Sequence, residues 1–448
     1  MKIIIVGAIA GGATIASQIR RVDSDATLLL IGDDSKIAYG TCGMPFVIGQ
    51  TIEQAQHIAG PSPTTFSEEK RIQTYTKHQV TAINRDQQTV TVQNIQTSEI
   101  FYESYDKLVL ATGTSSRVPH YDGLETIPFF TLKTFDQMEE IDQFITTEQP
   151  TSCAIVGGGF IGIELAEAFR NRQLQTTVIL RGNRVMSGMD PAMSKLLMDE
   201  MEKNGVKFMT QNEITAIDGT TLTFKNGQQL QVDFLTASIG TIPNTTLAEE
   251  ANLSIGDTKG IVVNEFMQTS DPNIYAIGDV AEMTHAISGK PTRIELSWHA
   301  HRQAFIAAQH ITKHPVAIQP ILGTTITKLF SLTASMTGLS KNELDQLQYP
   351  YETVTYNGRT NASYYPDVGT ILIHVHYDSQ TRRILGAQAV GTKGVNKRID
   401  ILATAIISNL PVDALASLEL GYSPPYSSPK DPINMLGYQA IEKSMKLS

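Results

Sequence analysis

The sequence predicts an α/β chain of two Rossmann-like domains, followed by a separate α+β domain at its C-terminal end. Three observations carry this. A unit of strand, glycine turn, helix and strand occurs at residues 2–34 and again at residues 152–184. Leu28 follows Gly7 by 21 positions, and Val178 follows Gly157 by the same 21. Beyond about residue 322 the pattern changes to ETVTYNG, GTILIHVHYD and RILGAQAVG, which read as antiparallel strands, and then to the helical run KRIDILATAIISN. At 448 residues the chain exceeds one ordinary core.

Composition narrows the function. With 41% hydrophobic and 18% charged residues the chain reads as a soluble globular enzyme. A net charge of −10 with no Lys/Arg run argues against nucleic-acid partners. The opening MKIIIVGAIAGG enters a strand directly, without the features of a signal peptide, and no apolar run reaches bilayer length. The expectation is a cytoplasmic chain with no membrane partner. The only cysteines, Cys42 and Cys153, are too few for a Cys-rich metal site, and no HExxH occurs, so no metal is expected.

The elements follow in order. The first apolar strand runs into Gly7, Gly11 and Gly12, with Ile9 where a regular motif has its middle glycine. Such glycines make the tight turn, admit a pyrophosphate to the backbone and let helix pack on strand; the helix N-terminus then faces the phosphates. The second strand of this copy ends at Gly32, Asp33 and Asp34. The segment AYGTCGMPF brings in Cys42, with Gly43 and Pro45 expected to interrupt a helix after it. TVTVQN alternates as a strand, and KLVLATGT is a buried strand ending at Gly113. The second copy, Gly157-x-Gly159-x-x-Gly162, is regular, and Cys153 lies in its apolar strand as a core residue. Its strand TTVIL ends in Arg181, with Arg184 nearby and no acid, which suits a ribose 2′-phosphate and favours NADPH over NADH. TLTFKNGQQLQVDFL is a hairpin turning at Asn226-Gly227. ASIGTIPN echoes LATGTSSRVP, and the strand in NIYAIGDVA stops at Gly278-Asp279. Two dinucleotide-binding units in one chain suggest electrons passing between two nucleotide cofactors. The expected division is 1–115 with 242–321 for FAD, 116–241 for NAD(P)H, and 322–448 as the last domain.

The motifs GAIAGGATIASQIRR, TCGMP, LVLATGT, GGGFIGIELAE, NIYAIGD, LGTTITKLF and GYSPPYSSPKDPINMLGY together carry a resemblance. Across essentially its whole length the chain resembles the pyridine-nucleotide-disulfide oxidoreductases. Within them it is similar to the single-cysteine branch of coenzyme A-disulfide reductases, NADH oxidases and NADH peroxidases, and most of all to the first. The resemblance implies FAD-dependent reduction of a low-molecular-weight disulfide, coenzyme A disulfide, by NAD(P)H. Cys42 would be the redox cysteine, carried as a mixed disulfide. The last domain would be a dimerisation domain, making a homodimer in which Tyr364 and Tyr422 serve the neighbouring subunit as catalytic tyrosines. Thr14, Gln18, Arg21, Lys70, His301, Tyr422 and Lys430 would contact substrate. Val80, Thr112, Gly113 and Asp279 would contact FAD, and Glu164 would lie near the nicotinamide.

The chain departs from the family at three places. Gly32 stands where the family usually has the Glu that holds the FAD ribose, so Asp33 or Asp34 is expected to substitute. Ala38 and Thr41 stand where Ser and Asn are usual near the cysteine. Oxygen or peroxide reduction through a cysteine sulfenic acid is the alternative; Ala10, where those relatives have a histidine, counts against it. A persulfide reductase is a further alternative, and a flavin-bound redox sensor without turnover a third.

Overall fold

The computed structural model describes residues 1–446. The strand Lys2–Val6 lies at the centre of a five-stranded parallel sheet. It pairs with Thr27–Ile31 on one side and Lys107–Leu110 on the other. Gln73–Tyr75 and Ile274–Ala276 complete the two edges. Ile3, Ile4 and Ile5 are fully buried. Covered on both faces, such a sheet has continuous apolar strands rather than alternating ones.

The second copy repeats this plan. Ser152–Val156 pairs in parallel with Gln175–Ile179 and Phe234–Ala237, and Lys207–Met209 and Phe129–Thr131 form the edges. Each copy also carries a three-stranded antiparallel sheet, His78–Asn84 with Thr89–Asn94 and Ile100–Ser104, and Ile214–Asp218 with Thr221–Phe224 and Gln229–Gln231. The expected hairpin turns at Gly227, whose φ of +81° is the left-handed region that glycine accepts. The two segments that echo each other in sequence pair directly, Thr114–Ser116 against Thr241–Pro243.

The C-terminal part is a five-stranded antiparallel sheet in the order 325–329, 332–338, 384–391, 370–378, 351–359. The helices Val395–Ile407 and Pro432–Met445 contribute Leu402, Ile433 and Leu436 to its core. Two sets of polar contacts bolt this sheet to the second parallel unit. Glu164 accepts from the Thr327 hydroxyl (2.8 Å), Glu167 from the Phe330 backbone N–H (2.7 Å) and Glu200 from the Ser331 hydroxyl (2.7 Å). On the other side, Asp190 meets His374 Nδ1 at 2.5 Å and fully buried His376 Nε2 at 3.6 Å. Gln388 accepts from Asp190 N–H and donates to Gly188 O.

One local expectation is corrected. Gly43 and Pro45 do not interrupt a helix. A 3₁₀ turn, Thr41–Gly43, leads into the helix Met44–Ile48 with Pro45 in its first turn. There the missing N–H costs nothing and the fixed φ suits helix entry.

Candidate active site

Both glycine turns have the geometry that a dinucleotide needs. Gly7 has φ +103°, and a Cβ on it would lie 2.1 Å from Ala111 O. On Gly12 a Cβ would lie 1.7 Å from Gly7 O, so helix Ala10–Val22 can approach the strand only through glycine. Gly157 and Gly162 repeat these two roles, with contacts of 2.2 Å to Ser238 O and 2.3 Å to Gly157 O. Gly11 is different: a Cβ there meets nothing nearer than 3.5 Å. Gly159 faces open space, whereas its counterpart Ile9 is partly buried against the core. No side chain caps either turn helix, which leaves the first N–H groups for an anion. The residues present therefore fit a dinucleotide at each turn.

The other expected contacts are differently placed. Asp33 is exposed at the end of the second strand. Asp34 is buried and already accepts from the Tyr39 hydroxyl (2.6 Å) and Ser35 N–H (2.7 Å), so its carboxylate is committed within the fold. Burial raises its pKa, opposed by those bonds. Asp279 lies 3.2 Å from Lys133, and burial likewise pushes its carboxyl up. Thr112 exchanges hydrogen bonds with Asn244, and beside it Gly113 (φ +62°) opens onto free space. Val80 is buried in the first three-stranded sheet. Glu164 is turned to Thr327, with its pKa raised by burial. At the second strand's end Arg181 is exposed, and Arg184 donates to Ser187 O while its buried Nε has no partner among the described residues.

A cleft of about 540 Å³ brings together Cys42, Thr14, Gln18, Arg21, Lys70 and His301. Thr14, Gln18 and Arg21 fall at i, i+4 and i+7 on the first helix, one face of it. Ser17, on the same face, was missed by sequence reasoning although the helical period points to it; it accepts from Lys70 Nζ at 3.1 Å. Thr14 Oγ1 and His301 Nδ1 are 2.7 Å apart across the cleft. Cys42 is exposed at the cleft wall, and Cys153 is fully buried, its thiol pushed up to about 12 by burial. The thiolate is the nucleophilic form of cysteine, so Cys42 is the thiol available for exchange.

Three expected residues lie outside this cleft. Tyr364 and Tyr422 are exposed with their hydroxyls 3.1 Å apart, on segments flanking the C-terminal sheet. The bond to Tyr364 raises the pKa of Tyr422. Lys430, also exposed, stacks its ammonium 5.4 Å over Tyr438. Among the described residues no cluster could hold a metal ion, and no helix is long and apolar enough to cross a membrane.

Residues 1–304 match the model of the pyridine nucleotide-disulphide oxidoreductases, and residues 324–431 match that family's dimerisation domain. The chain belongs to this family. It is an NAD(P)H-dependent flavoprotein disulfide oxidoreductase, and the family uses a flavin with a nicotinamide nucleotide. Coenzyme A disulfide reductase of Staphylococcus aureus (strain JH9) is 40% identical over 441 residues, which covers 98% of this chain and 99% of that one. The solved structure of reduced CoADR-RHD from Bacillus anthracis superposes with a TM-score of 0.97 at 36% identity, covering 98% of this chain and 80% of the other. An NAD-dependent persulfide reductase from A. fulgidus gives a TM-score of 0.96 at 32% identity, covering 100% and 84%.

Proposed function

We infer that this oxidoreductase reduces coenzyme A disulfide with NADPH, through Cys42 carried as a mixed disulfide with coenzyme A. The observation that carries the reading is one exposed cysteine on a cleft lined by Arg21, Lys70 and His301. Of these, Arg21 and Lys70 are cationic, and cations beside a reactive sulfur suit a thiol that bears phosphates.

When bound, a flavin and a nicotinamide nucleotide supply a two-electron route to Cys42. The residues of this chain do the rest. Cys42 thiolate attacks one sulfur of the substrate disulfide; that S–S bond breaks, and a new one forms to Sγ. The departing thiolate takes a proton, and two electrons and a second proton then cleave the mixed disulfide, releasing the second thiol and restoring the Cys42 thiolate. In a homodimer, the Tyr364–Tyr422 pair and Lys430 of one subunit would serve the cleft of the other. With Tyr422 donating to Tyr364, the Tyr364 hydrogen is free for the leaving sulfur. Asp33, rather than the committed Asp34, is the carboxylate available to the flavin ribose, with Val80, Thr112, Gly113 and Asp279 along the same cofactor. Glu164 lies toward the nicotinamide and holds its position through Thr327. Arg181 and Arg184 receive the 2′-phosphate of NADPH.

The test is steady-state turnover with NADPH and with NADH, on coenzyme A disulfide, on persulfide and on oxygen alone. Fast NADPH-driven turnover of coenzyme A disulfide is expected. Oxygen or persulfide reduction that far exceeds it would overturn the substrate assignment, and a clear NADH preference would overturn that of the nucleotide.

A further inference from the structure

We propose that Ser297 is the hydrogen-bond donor that holds the Cys42 thiolate and tunes its reactivity. The proposal rests on Cys42 being the nucleophile. Ser297 Oγ lies 3.8 Å from Cys42 Sγ, within hydrogen-bonding reach of sulfur. In the thiol either atom can donate. Once the proton is lost the sulfur can only accept, so the direction is fixed from the serine hydroxyl to the thiolate. Among the described residues this hydroxyl makes no other hydrogen bond.

Both partners are set in place by backbone. Ser297 is the first residue of a 15-residue helix, Ser297–Ile311, and the preceding Leu296 offers no side-chain cap. The positive end of that helix therefore lies at the same place and acts in the same direction as the hydroxyl. One turn further along, His301 meets Thr14 across the cleft, so a single helix presents one side chain to the sulfur and another to the opposite wall. On the other side, Cys42 sits in the 3₁₀ turn Thr41–Gly43. A Cβ on Gly43 would come 2.5 Å from Ile58 Cγ2, so the turn is pressed against that side chain.

The experiment is the pH dependence of Cys42 alkylation by iodoacetamide. It is run on the full-length holoenzyme, reduced with dithiothreitol and desalted, with peptide mass spectrometry separating Cys42 from Cys153. One hydrogen bond to a charged group changes proton affinity by about tenfold. Nucleophilicity falls as a thiolate is stabilised, with a Brønsted slope of about 0.45. Ser297→Ala should therefore slow alkylation ~threefold at low pH, where less thiolate forms, and speed it ~threefold at high pH, where the thiolate is bare. The two profiles should cross, and Ser297→Thr should restore the wild-type curve. A change of access or packing moves both limbs the same way. Superimposable profiles, limbs that move together, or a threonine variant that behaves as alanine would each overturn the role of Ser297 while leaving Cys42 as the nucleophile. A Cys42 that resists alkylation at every pH would instead overturn the reading beneath it.

Discussion

His376 should make this protein sensitive to mild acid. Its ring is fully buried, its Nδ1 lies 2.9 Å from Thr353 Oγ1, and burial depresses its pKa from 6.5 to about 4 against the opposing pull of Asp190. Between pH 6.5 and 4 the unfolded chain binds a proton at this site that the folded chain does not. Stability is thus complete above pH 6.5 and is lost as pH falls through that window. At 1.36 kcal/mol per pKa unit the full effect is about 3 kcal/mol, of which about 2 kcal/mol has gone by pH 5. Asp190, itself depressed, adds its loss only at lower pH. The perturbation is His376→Gln, which keeps a polar group and removes the titration. With an unfolding entropy of roughly 2.1 cal/mol/K per residue over the whole chain, 2 kcal/mol corresponds to about 2 °C. Calorimetry of both proteins at pH 7.5 and pH 5 should show the wild type losing about 2 °C more than the variant. Equal losses in the two proteins would refute the argument, because the carboxylates common to both would then account for the whole slope.

Other outcomes follow from the same geometry. Cys42→Ser should still be reduced by NADPH in stopped-flow absorbance but lose almost all disulfide turnover; Cys153→Ser, in a fully buried strand, should keep turnover and cost about 1–2 kcal/mol in denaturant unfolding. Replacing Arg181 and Arg184 together by Glu should raise KM for NADPH at least tenfold in steady-state kinetics while changing that for NADH far less. Tyr364→Phe should lower kcat more than Tyr422→Phe, and a chain ending near residue 321 should have neither disulfide reduction nor a dimer in sedimentation. Gly12→Ala should fail to retain flavin on gel filtration, since its Cβ would stand 1.7 Å from Gly7 O.

The sequence made the two parallel sheets legible because buried parallel strands are apolar runs, and because turns that admit no Cβ at Gly7, Gly12, Gly157 and Gly162 announce themselves. The antiparallel C-terminal sheet was legible from alternation and from its β-branched runs. Contacts between distant segments were not. Periodicity carries no sign that Ile274–Ala276 joins the first sheet, that Ser297 reaches Cys42 across 255 positions, or that Asp190 meets His374 across 184. Local reading also misjudged Pro45, because the same ring that ends a helix can begin one. Asp33 and Asp34 were indistinguishable until Tyr39 was seen to take the second. Tyr364, Tyr422 and Lys430 entered through resemblance alone, with no local pattern to mark them.

The glutamate clasp around residues 327–331 bears on modularity. Glu164, Glu167 and Glu200 come from two helices of the second parallel unit, and all three grip one corner of the C-terminal sheet. Relatives with the same three layers invite the exchange of nucleotide specificity by transplanting one layer. In this chain such a graft would strand Glu164 and Glu167 against foreign loops, at roughly 1–3 kcal/mol for each one left unpaired, while Glu200 would keep Asn204 and Lys203 as partners. The second unit and the 325–338 hairpin therefore form one heritable cassette, and recombination between them should be viable only when both come from the same parent.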